Sequence, residues 1–275
     1  MSIQCGTSLR RAYAIVFALL LGCCVGAAAA ELKIGGSGAA LGTMQLIGDA
    51  FTAANRDIRI TIVPSLGSGG GIKAVVAGVI DLAVTSRPMN EGERELGAVE
   101  TEYARTPFVF AVSTKSKTIA VTFKELAAIY AGETVKWSDG SPVRLVLRPV
   151  SDIDTAMAKS ISPEIDRAIS MAEMRPGVRF SVNDQDGAND LEKIPGAIGS
   201  SSLALILSEK RALRALKLDG REPTAHNGES GAYPYYKRLF VVTGAKRSAA
   251  VERFIAFVQS PAGRKILAGN GQWIP

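Results

Sequence analysis

The 275 residues, 47% of them hydrophobic and 21% charged, suffice for one large domain or two small ones, and the formal net charge is +6. No run of lysines or arginines is dense enough to argue for nucleic acid, so the mild basic excess fits a small anionic molecule or plain solubility. There is one histidine, and the three cysteines (Cys5, Cys23, Cys24) all precede Glu31, which argues against a His/Cys metal centre and thiol chemistry in the rest of the chain. No cofactor is expected.

Arg10 and Arg11 precede an apolar run, Ala12–Val25, followed by small residues up to Ala30 and then the charged Glu31. This is the pattern of a secretory signal, residues 1–30, and it predicts export to the periplasm or beyond with cleavage near Ala30. Leu20-Leu21-Gly22-Cys23 also resembles a lipobox, which would leave a lipid anchor on Cys23 instead.

From Glu31 onward, strand and helix patterns alternate. Leu32–Ile34 reads as a strand, Ala40–Ala54 as a helix with an apolar stripe, Ile58–Val63 as a strand, Gly71–Ala77 as a second helix and Ile80–Val84 as a buried strand. This β-α-β-α-β order predicts a parallel sheet with helices on its faces. Thr106–Ser113 is extended, Phe123–Ala131 helical and Val143–Leu147 a strand; Asp152–Lys159 and Pro163–Met174 are helical. Ala197–Gly199 is a strand, Leu203–Lys210 a helix, Thr224–Glu229 with His226 a surface loop, Leu239–Thr243 a strand, and Ala249–Gln259 and Pro261–Ala268 two closing helices. No linker separates these pieces. Two α/β lobes joined by extended crossings near Pro107–Val112 and Tyr235–Val241 account for that: residues 31–110 and 238–275 form one lobe, 111–237 the other.

Two glycine-serine segments, Gly36-Ser37-Gly38-Ala39-Ala40 and Gly67-Ser68-Gly69-Gly70-Gly71, each sit between a strand and a helix. Glycine lets the backbone approach closely, and the helix behind supplies free N–H groups and positive potential. With a serine hydroxyl in each, the pair predicts an anion site rather than two tight turns. A nucleotide fits poorly: the third glycine of a dinucleotide fingerprint falls one residue late at Gly42, and GSGGGIK lacks the spacing of a phosphate-binding P-loop. An enzyme fits poorly too, because there is no G-x-S-x-G elbow and His226 stands alone. Binding, not catalysis, is expected.

Arg87 and Arg148 each follow a predicted strand, at the edge where open parallel sheets hold ligands. Their planar donor forks suit an oxyanion, although each would equally suit a salt bridge. Asp152 or Asp154 would cap the helix after Arg148, or would accept a proton from a protonated oxyanion such as hydrogen phosphate.

In order and spacing, the segments GGSGAALGTM, SLGSGGGIKAVVAGVIDLAVTSRPM, FKELAAIYAGETVKWSDG, RPVSDIDT, IPGAIGSSSL and YPYYKRLFVVT resemble those of the phosphate-type periplasmic binding proteins of bacterial ABC importers, from Leu32 to the C-terminus. The resemblance implies a two-lobed α/β fold, a type II periplasmic binding protein that closes on its ligand like a hinged trap. It also implies a monomer, with a small anion as ligand and an inner-membrane permease as partner. Carried over by residue, it places Ser68 with the N–H groups of Gly69 and Gly70, Ser37 with Ala39, and Arg148 around the anion. Two departures stand out. The family's S-D-x-P turn reads Ser86-Arg87-Pro88, so its aspartate is replaced at Thr85-Ser86. Its G-S-G-T reads Asp152-Ile153-Asp154-Thr155, with two carboxylates for glycines. The expectation is therefore an exported binding protein for a small oxyanion, phosphate first. A phosphonate, another oxyanion or an organic acid is the alternative, as is an exported accessory or adhesion protein that has lost transport.

Overall fold

The computed structural model describes residues 30–275. The expected signal segment, with Arg10, Arg11 and the alternative anchor Cys23, lies outside the described residues except for Ala30.

In chain order the elements are β1 (Ala30–Gly36), α1 (Gly38–Ala54), β2 (Ile58–Ile62), α2 (Gly67–Val76), β3 (Leu82–Thr85), α3 (Glu91–Glu95) and β4 (Val99–Ser113). The chain continues through β5 (Ala120–Val121), α4 (Phe123–Ala131), β6 (Arg144–Leu147), α5 (Ile153–Lys159), α6 (Pro163–Glu173), β7 (Arg179–Phe180) and α7 (Asp184–Lys193). It ends with β8 (Ala197–Ser202), α8 (Leu203–Ser208), β9 (Leu213–Ala215), β10 (Lys217–Leu218), α9 (Ala225–Glu229), β11 (Tyr236–Thr243), α10 (Ala249–Gln259) and α11 (Pro261–Gly269).

The main sheet runs β2-β1-β3-β11-β4-β8-β6-β7, with β9 also on β4. β1 pairs parallel with β2 and β3, and β6 parallel with β8 and β7, as helix-connected strands must when the crossover packs on the sheet face. All four residues of β3 are buried, so helices cover both faces there. β11 enters antiparallel between β3 and β4.

The long β4 joins the two halves. Its first part pairs with β11 up to Pro107, opposite Tyr236, and its second part pairs with β8 from Phe108, opposite Ser202. Proline has no N–H to give a ladder, so Pro107 is well placed where the strand changes partner. Hydrophobic cores lie on either side of this point. Leu32, Ile34, Met44, Phe51, Leu82, Leu239 and Phe254 build one. Phe108, Phe110, Leu126, Tyr130, Leu147, Ile165 and Ile198 build the other, and a further cluster under α7 and α8 adds Val109, Val146, Leu191 and Leu205. The fold is thus α/β and two-lobed, with β4 running from one core to the other.

Several sequence expectations are corrected. α2 starts at Gly67, not Gly71, so the glycine segment is the first helical turn and not a loop before it. β4 begins at Val99 rather than Thr106, because the charged residues of its first half pair on its face: Glu102 accepts hydrogen bonds from Arg105 and Arg238. His226 lies in the short helix α9, capped by Thr224, rather than in a loop. α7 has no counterpart in the sequence reading.

Candidate functional site

The two glycine-serine segments meet because glycine lets them. Gly36 ends β1 at φ +120°, where a side chain would strike the Val84 carbonyl. A Cβ on Gly71 would lie 2.7 Å from Gly36 Cα and 3.2 Å from Ala83 Cβ. This contact pulls the start of α2 against the end of β1. Gly71→Ala is therefore expected to cost about 1–3 kcal/mol, the usual range for forcing extra atoms into a packed core; urea denaturation of the ligand-free chain measures it.

The contact brings three serines together from three elements. Ser37, at the start of α1, leaves its helix uncapped and donates to Ser86 Oγ at 3.0 Å. Ser68, in the first turn of α2, accepts from the Ser86 N–H at 3.1 Å and shares a 3.3 Å hydrogen bond with its hydroxyl. Ser37 and Ser86 are 3% exposed, so the cluster is a fixed cradle with the first turn of α2 beside it. Arg87, next to Gly69, binds both Glu93 oxygens at 2.7 Å. That pairing holds the Glu93 carboxyl below the usual range and raises the guanidinium above its own.

The second lobe faces this cradle with carboxylates. Arg148 follows β6 but is turned inward, donating to the Ser181 carbonyl at 2.8 Å and to Asp152 Oδ2 at 2.6 Å. Asp152 caps α5, its other oxygen accepting from the Asp154 N–H at 2.9 Å. The Thr155 hydroxyl donates to the carbonyls of Arg148 and Pro149 and so fixes the turn. Asp154, 1% exposed, forms an ion pair with Lys237 of β11, which is fully buried; Asp184, at the start of α7, lies 3.6 Å from the same ammonium. Burial pushes the Asp154 carboxyl up to about 6, with Lys237 pulling the other way. For Lys237 desolvation acts downward, but Asp154 and Asp184 outweigh it and hold the ammonium above the ordinary lysine value.

Between the walls lies a cleft of about 400 Å³. The first lobe contributes Ser37, Gly67, Ser68, Gly69, Ser86 and Arg87 to it, and the second Pro149, Ser151, Asp152, Ile153, Val182 and Asp184. Gln185 ties the walls at one edge by donating to the Gly38 carbonyl at 3.1 Å, and Glu209 of its own lobe holds it in place at 2.8 Å. Of the residues singled out in the sequence, the cleft thus gathers Ser37, Ser68, Gly69, Ser86, Arg87 and Asp152. Ala39 is buried in α1, and Gly70 is half-buried in the first turn of α2 without lining the cleft. Arg148 is buried behind Asp152, and Asp154 and Thr155 line a small cavity that Arg148 shares. Asp184 and Lys237 were missed. Asn183, accepting from the Asp186 N–H, was the sequence signal for α7, and a lone lysine inside YPYYKRLFVV was the signal for Lys237.

A family model described as a PBP superfamily domain matches residues 25–262. The "Phosphate-binding protein PstS" of Borreliella burgdorferi is 25% identical over 228 residues, covering 80% of this chain and 81% of that protein. The Bacillus subtilis protein of the same name is 24% identical over 258 residues, covering 90% and 81%. Among solved structures, a Clostridium perfringens chain with bound phosphate superposes with a TM-score of 0.73 at 22% identity, over 89% of this chain and 99% of that one. An ABC-type phosphate transport receptor from Vibrio cholerae superposes with a TM-score of 0.62 at 19% identity, over 89% and 100%.

Proposed function

The chain belongs to the PBP superfamily, and we propose that it is an exported solute-binding protein that captures a small phosphoryl oxyanion, phosphate first, for an ABC importer. The observation that carries this is the serine cradle: three hydroxyls from Ser37, Ser68 and Ser86 and the N–H groups opening α2 converge on one wall of an interlobe cleft. Such a wall offers donors and positive helix potential to an oxyanion without a metal. The curated relatives are named phosphate-binding proteins, which supports a binding protein rather than a catalyst. The chain works as a monomer whose lobes, 31–110 with 238–275 and 111–237, hinge at β4 and β11. It resides in the periplasm or at the cell surface, where a membrane permease receives the ligand.

In this reading Ser68, Gly69, Ser37 and Ser86 touch the anion. Arg148, Thr155 and Asp154 act as positioning residues that hold the opposite wall. Ser68→Ala is expected to weaken phosphate binding by about 1.5–3 kcal/mol, the range for a hydrogen bond to a charged group. Calorimetric titration of both proteins with inorganic phosphate checks it; equal affinities would remove Ser68 from the site.

A further inference from the structure

The two walls of the cleft have opposite polarity. On the first lobe stand the serine cradle, the first turn of α2 and Arg87, whose charge Glu93 already matches. On the second stand Asp152 and Asp184. Behind them are Asp154, Arg148 and Lys237, so three carboxylates meet two cations and one negative charge is left over. Asp184 also sits close to the first lobe, because a Cβ on Gly38, the neighbour of Ser37, would lie 2.9 Å from its Oδ2.

A fully deprotonated oxyanion leaves the charge unanswered, and any bare oxyanion leaves the space unanswered. The first would face the surplus carboxylate as a like-charge contact across the cleft. It would also fill a small part of a cleft of about 400 Å³, which remains although Gln185 already ties the walls. An ammonium group on the same ligand answers both, since it supplies the missing positive charge and three donors to carboxylate acceptors. Ile153 and the exposed Val182 add apolar surface to the same cleft, which suits a short carbon chain.

We infer that the cleft takes a bipolar ligand: a phosphonate or phosphate monoester carrying a primary amine on a short chain. Its phosphoryl oxygens lie in the Ser37–Ser68–Ser86 cradle, and its ammonium lies against Asp184 and Asp152. This rests on the oxyanion reading of the same cleft and narrows it to a substrate class.

The test is calorimetric titration of the full chain with inorganic phosphate, ethylphosphonate and 2-aminoethylphosphonate at one pH. The last two share shape and differ in the amine. The expected result is that 2-aminoethylphosphonate binds at least about tenfold tighter than ethylphosphonate, as a charge-assisted hydrogen bond gives, and that Asp184→Asn lowers this ratio to within about threefold. If the variant fails to fold, the wild-type ratio decides alone. A wild-type ratio near one, or tight phosphate binding with no binding of 2-aminoethylphosphonate, overturns the bipolar ligand and leaves the oxyanion site standing. Binding of none of the three overturns both.

Discussion

Replacing Lys237 by methionine is expected to destabilise the ligand-free chain by about 3–5 kcal/mol, the cost of removing one partner from a buried ion pair. The lysine is fully buried on β11 and clasps Asp154 on α5 and Asp184 on α7, so without it two carboxylates, Asp184 on the cleft wall and Asp154 behind it, are left uncompensated. The loss has a pH signature. Asp154 already titrates near 6 in the folded chain against 3.8 for the ordinary carboxyl, because burial disfavours its charge. A raised carboxyl binds more protons folded than unfolded, so its contribution to stability declines as pH rises from about 3.8 through its folded value. Removing Lys237 raises that value further. The deficit of Lys237→Met relative to wild type should therefore be largest near neutral pH and shrink as pH falls toward 5. Adding Asp154→Asn should recover part of it. Urea denaturation at several pH values measures this, and a pH-independent deficit would show that the lysine acts through packing alone.

Arg148→Leu should cost about 3–5 kcal/mol by the same mechanism, since the buried guanidinium is the cation for Asp152 and also holds the Ser181 carbonyl. Arg148→Lys should lose less, because a lysine supplies the charge without the planar fork that reaches both acceptors. The measurement is denaturation without ligand. Unchanged stability together with weaker phosphate binding would mean instead that the guanidinium acts on the anion directly, as the family resemblance alone implies.

How far the sequence revealed this molecule depended on where each element buries its apolar groups. α10 was legible to the residue because Val251, Phe254, Ile255 and Val258 form one buried stripe. α7 was not, because its buried face consists of Gly187, Ala188 and Leu191 in a run of acids and amides. The first half of β4 hid behind Glu102 and Arg105, whose ion pair lets a strand face carry charge. At the site, the two glycine-serine segments were legible as helix starts where the backbone comes close, and their serines do meet in the structure. The start of α2 as early as Gly67 was not, because it depends on Gly71 packing against Gly36, a contact between residues far apart in the chain. The carboxylate wall was half visible. Asp152 stands in the motif next to Arg148, whereas Asp184 joins it only through α7, and Lys237 only through the return of β11 between β3 and β4.

On the proposed function, the serine cradle makes the interlobe cleft a single site for a phosphoryl oxyanion. Calorimetric titration of the wild-type chain, stripped of bound ligand, with inorganic phosphate and in parallel with sodium chloride of equal ionic strength tests it most directly. Saturable binding of one phosphate per chain, with no heat from chloride, is the expected result. Unsaturable heat of equal size from both salts would contradict it.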